Sequence, residues 1–90
     1  MLYIDYDKEM AQVRELRQIA DEMARIRNQK LGCAVDDIRS NWKGSVGMGF
    51  LAKCDDFGSG IDKEVKSLRL LADHMEAEAN RKEREAAKLK

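Results

Sequence analysis

No proline interrupts this chain, so nothing of that kind breaks a long helix, and no apolar run reaches the length that crosses a bilayer. Aromatic residues are few: one tryptophan, two tyrosines and two phenylalanines. With 38% charged and 43% hydrophobic residues, that scarcity fits long helices or coiled coil better than a β-sandwich. The two cysteines, Cys33 and Cys54, are too few for a disulfide scaffold and lack CxxC spacing. A single histidine, His74, cannot complete a zinc site with them, so no metal or cofactor is expected. Seventeen basic residues balance seventeen acidic ones, which gives no bulk charge to draw nucleic acid or an anionic membrane. The opening Met1-Leu2-Tyr3-Ile4 meets Asp5 and Asp7 too soon to form the apolar centre of a signal peptide. The expectation is a chain that neither inserts in a membrane nor carries a general-secretory address.

What is present is helical periodicity on both sides of one central turn. Tyr6, Met10, Val13, Leu16, Ala20 and Met23 recur at three and four residues, and Ala24, Leu31, Val35, Ile38 and Trp42 continue a stripe that drifts around the helix. Beside it lies a second stripe of Leu16, Ile19, Met23, Ile26 and Cys33. One helix with two apolar stripes needs two neighbours. Further on, Val46, Phe50, Cys54, Phe57, Ile61, Val65, Leu68, Ala72, Met75 and Ala79 keep the same spacing, widened by Leu51 and Leu71. Gly58-Ser59-Gly60 interrupts that pattern without shifting its phase, which predicts a weak point or kink. The fold class read from this is all-α, an antiparallel helical hairpin in one domain of residues 1–90. Helix 1 runs about 7–40, the turn 41–45 and helix 2 about 46–85.

Local chemistry fills in the ends. Asp5 or Asp7 caps helix 1, with Glu9 at its positive end. Arg25 pairs with Glu22 or Asp21, and Glu78 with Lys82. In the turn, Asn41 suits a left-handed helix end, Gly44 takes positive φ freely and Ser45 suits an N-cap, while Trp42 plugs the bundle end. Gly47 and Gly49 predict a soft first turn in helix 2. Beyond Glu76 the composition collapses to Ala, Glu, Lys, Arg and Asn, which predicts helix running past the bundle and fraying.

Folding about Lys43 and Gly44 sets Cys33 level with Cys54 across the hairpin. Helix axes normally lie too far apart for a disulfide, so a bridge needs an unusually close crossing, for which Gly32 is the candidate. The alternative is two small buried apolar residues. His74, Asp55, Asp56, Asp62 and Glu64 have neither a nucleophile nor ligand spacing beside them, so they read as solvated helix surface and no catalysis is expected.

Two helices of similar length around Trp42-Lys43-Gly44, followed by Val46 and Phe50, resemble the WXG family, small proteins of bacterial type VII secretion related to the early secreted antigenic target. The likeness covers about residues 5–80 and rests on few specific positions. It implies a hairpin that joins a second hairpin, its own or a relative's, in an antiparallel four-helix bundle. It also implies export as a folded pair, without a cleaved signal peptide, from the cytoplasm through a membrane ATPase machine, sometimes with a larger toxin cargo. Trp42 and Gly44 match the turn motif implicated in recognition. The interface would draw on Leu16, Ile19, Met23, Ile26, Val46, Phe50, Phe57, Ile61, Val65 and Leu68. One family feature is missing: exported members carry Tyr-x-x-x-acid after the second helix, whereas Tyr3 and Tyr6 sit at the other end and only His74 and Glu78 echo that spacing. That leans toward the signal-lacking partner of a pair. The rival readings are an intracellular coiled-coil scaffold without export, and a redox-switched hairpin locked through Cys33 and Cys54.

Overall fold

The computed structural model describes residues 5–42 and 44–89. Two helical arms form an antiparallel hairpin measuring 70 × 15 × 14 Å, two helices thick and without a strand among the described residues. The first arm is α1 (Tyr6–Ile26), a π-helical turn (Arg27–Leu31) and α2 (Gly32–Asn41); the second is the single long helix α3 (Ser45–Lys88).

Asp5 starts α1 by accepting a hydrogen bond from the Lys8 backbone N–H at 3.0 Å, with Asp7 and Glu9 in the positive first turn. The inward positions then follow a heptad rhythm, Val13, Ala20 and Arg27. The next step of that rhythm falls on Val35 and not Ala34, one residue late, and the wider π turn between Arg27 and Val35 holds the extra residue. This is the physical form of the drift in the sequence stripe, which reads as one helix and proves to be two α segments joined by a π turn.

Along α3 the rhythm never breaks. Gly58, Val65, Ala72 and Ala79 are buried at seven-residue steps, with Cys54, Ile61, Leu68 and Met75 half-buried between them. The helix passes through Gly58-Ser59-Gly60 without a loop. The seam is lined by small residues, and no fully buried side chain exceeds valine in size. Two helices can therefore lie close together, yet the seam alone covers little of the larger apolar side chains.

Packing also reaches further down the hairpin than the composition suggests. Ala79 is buried, the Tyr6 hydroxyl donates to Asn80 Oδ1 at 2.7 Å, and Lys82 pairs with Glu9 at 2.8 Å. The stretch after Glu76 is thus part of the hairpin, and α3 continues to Lys88. Lys82 is taken by Glu9 across the seam, while Glu78 pairs with Arg81. Likewise Arg25 pairs with Glu22, and Asp21 reaches across to Arg69 at 3.0 Å.

Candidate functional site: the turn and one face of the hairpin

The turn is built by the backbone needs of two glycines. Trp42 ends α2 in extended conformation (φ −113°, ψ 109°), its N–H still donating to the Ile38 carbonyl at 2.9 Å. Gly44 follows at φ 86° and ψ −163°, the one positive φ among the described residues and a region closed to side chains. Asn41 stays helical, so the left-handed residue is Gly44 and not Asn41. Gly44 also takes the N-cap position of α3, and Ser45 is the first helical residue, making no side-chain cap. Gly47 packs against Trp42: a β-carbon there would strike the Trp42 carbonyl oxygen and approach its carbonyl carbon to 3.0 Å.

Trp42 itself is 54% exposed in the single hairpin. Its ring meets Phe50 edge to face, centroids 5.6 Å apart at 81°. Val46 and Phe57 share this exposure, Phe57 at 64%. These three residues of α3 stand one position away from the seam, whose inward places at this level are filled by Gly47, Leu51, Cys54 and Gly58.

The rest of the hairpin has two unlike faces. On one, Arg17 pairs with Asp73 at 2.9 Å and Glu76 at 2.5 Å, and Asp21 with Arg69. These pairs place the Arg17–Asp21 side of α1 and the Arg69–Asp73–Glu76 side of α3 together. The opposite flanks of both helices must then also lie together. On α1 that flank is Leu16, Ile19, Met23 and Ile26; on α3 it is Ile61, Leu68, Leu71 and Met75, continued toward the turn by Phe57, Phe50 and Val46. Ile19 is 45% exposed, Leu71 48% and Phe50 44%, while Leu16, Met23, Ile61, Leu68 and Met75 are half-covered. Of the ten residues expected at a partner interface, Val65 alone is buried within the hairpin; the other nine lie on this face with apolar surface uncovered.

Toward the open end the same face turns polar. An open groove of about 270 Å³ is lined by Glu9, Gln12, His74, Met75, Glu78, Ala79 and Lys82. His74 and Glu78 thus share a surface without bonding to one another. The Glu78 carboxyl is held below its ordinary value of 4.5, chiefly by its hydrogen bonds from Arg81, and Glu22 is lowered in the same way by Arg25. Arg17, Arg25 and Arg81 are raised by the matching bonds to Asp73, Glu22 and Glu78. These shifts come from surface ion pairs. Asp62 is bound to Arg27 at 3.0 Å, and Asp55, Asp56 and Glu64 are exposed. Among the described residues no three metal-ligating side chains converge, and no helix is long and apolar enough to cross a membrane.

Both cysteines are free thiols; Cys54 is half-buried at the seam and Cys33 is exposed. Cys33 lies two residues from both Leu31 and Val35, about 200° around the helix from those inward positions. Level register therefore does not make the two thiols face each other, and Cys33 is not the buried apolar residue anticipated. Gly32 has open space where a β-carbon would stand. The close crossing is at Gly58, whose β-carbon would come to 2.8 Å from Arg27 Nη2 and 3.3 Å from Leu31 Cδ2. Apolar counting passes over Gly58; its heptad phase with Val65, Ala72 and Ala79 is the signal that finds it. No protein-family model, curated protein or solved structure matches the chain.

Proposed function

We propose that this chain is a WXG-type hairpin that pairs with a second hairpin, its own copy or a relative, in an antiparallel four-helix bundle, and serves type VII secretion as substrate or adaptor. The observation that carries the pairing is the one-sidedness of the molecule. Ion pairs bridge the two helices on one face, which also carries an open groove beside the exposed Leu70, while Ile19, Phe50, Phe57 and Leu71 stay open to solvent together on the other. A second hairpin laid on that face would remove apolar area from water at about 25 cal/mol per Å². The Trp42-Lys43-Gly44 turn supports the family reading, with Gly47 fitted against Trp42 and Phe50 meeting its ring edge to face. On this reading the chain binds and is carried, catalyses nothing and needs no cofactor. It is made in the cytoplasm and leaves through the secretion ATPase with its partner, with or without a toxin cargo.

Two measurements test it. Light scattering on the chain alone and with co-expressed neighbouring gene products shows whether it pairs, and fractionation of culture medium shows whether it is exported. The unbroken heptads of α3 from Gly58 to Ala79 favour one rival, an intracellular coiled-coil scaffold. Pairing without export, in a cell whose secretion machine is active, selects that rival.

A further inference from the structure

The cross-seam polar contacts are unevenly shared. Tyr6–Asn80, Glu9–Lys82, Arg17–Asp73, Arg17–Glu76, Asp21–Arg69 and Arg27–Asp62 all join residues 6–27 to residues 62–82. Among the described residues, none joins 32–41 to 45–57. Burial divides at the same level. Val13, Ala20, Val65, Ala72 and Ala79 are buried in the stem, while α2 has no buried residue and the first third of α3 contributes Gly47 alone before Gly58. Large apolar side chains near the turn, Trp42, Val46, Met48, Phe50 and Phe57, are exposed.

At that boundary two irregular features face each other. The first arm has its π turn at Arg27–Leu31; the second has Gly58, with Gly60 beyond. The Arg27 guanidinium lies in the space a Gly58 side chain would take and bonds one turn further along to Asp62 Oδ1 at 3.0 Å. A π turn holds its carbonyls in weaker geometry than α-helix, and glycine lowers the cost of bending the helix opposite.

We propose that the hairpin is hinged at this level: the stem, residues 6–27 with 62–88, stays locked, and the tip, residues 31–42 with 44–57, opens and closes as a unit held by the Arg27–Gly58–Asp62 contact. Regions with few buried contacts open at lower free energy than the rest of a fold, and here that region has a defined edge. The consequence is that the Trp42–Phe50 end of the apolar face can change the spacing of its two arms without disturbing the ion-paired stem. The proposal does not depend on the family reading, since it concerns the single chain.

Hydrogen exchange on the full chain at a concentration where it is monomeric tests it, with Trp42 emission as a second probe. The expectation is that amides of 33–41 and 48–56 exchange at least about tenfold faster than those of 65–79. Trp42 emission should change at lower denaturant than far-ultraviolet helix signal. Arg27→Met should speed the tip by a further factor of about three and leave the stem within about twofold. Tip and stem exchanging within about twofold of each other in the unaltered chain, coincident denaturation by both probes, or an equal effect of Arg27→Met on both parts overturns the hinge.

Discussion

Gly47 sits against the backbone of Trp42 so closely that a β-carbon would collide with the Trp42 carbonyl oxygen. Gly47→Ala improves intrinsic helix propensity by about 1 kcal/mol. The obstacle is backbone, which cannot swing aside, so overpacking by about 1–3 kcal/mol should prevail. Thermal unfolding of Gly47→Ala is expected at a lower midpoint than that of the unaltered chain.

The glycines without such neighbours should behave in the opposite sense. Gly32 is helical with open space around its α-carbon, and Gly60 likewise has nothing within 4 Å of where a methyl group would stand. Gly32→Ala and Gly60→Ala should each raise stability by about 0.5–1 kcal/mol in denaturant titrations. Gly58→Ala must push the Arg27 guanidinium off its place, and should gain less than either or lose stability.

Glycine is also where reading the sequence fell short. The hairpin, its turn at Trp42 and Gly44, the Asp5 cap and the apolar flank of α1 are all plain in the spacing of side chains. Periodicity counts only residues that have a side chain to count. It therefore aligned Val46, Phe50 and Phe57 with the seam stripe, whereas Gly47 and Gly58 occupy the seam and the three large residues stand outward. The same blindness gave Gly32 the close approach that belongs to Gly58. The π turn was present as a drift in phase, but a drift does not say whether a helix supercoils or inserts a residue. Charge pairing was legible within a helix, as for Glu22 and Arg25, and illegible across the seam, where Asp21 chooses Arg69 and Lys82 chooses Glu9.

Surface ion pairs predict a direction with pH. Glu22 and Glu78 have folded values below the ordinary 4.5, so their contribution is complete above that value and is lost as pH falls through their lowered values. Helix signal at moderate denaturant should hold from pH 7 to about 5 and decline below about 4.5. Glu78→Gln should flatten part of that decline; an unchanged acid profile in Glu78→Gln contradicts the assignment.

Phe57 is largely exposed and Ile19 nearly half exposed on the apolar face. Phe57→Glu and Ile19→Glu remove little that the single hairpin buries, so monomer helix content should change by only a few per cent. Assembly with a partner should weaken by about tenfold or more for each, because each places an unpaired charge in a buried contact. Sedimentation of the variants, set beside their circular dichroism, separates the two effects.

On the proposed reading, one face of this hairpin is covered by a second hairpin. The most direct measurement is the mass of the particle in solution by light scattering, from micromolar concentration upward, alone and with the products of adjacent genes. Pairing requires a mass of at least twice the 10.3 kDa chain, or a complex with one such product, and its loss in Phe57→Glu. A particle that remains at 10.3 kDa under every one of these conditions contradicts it.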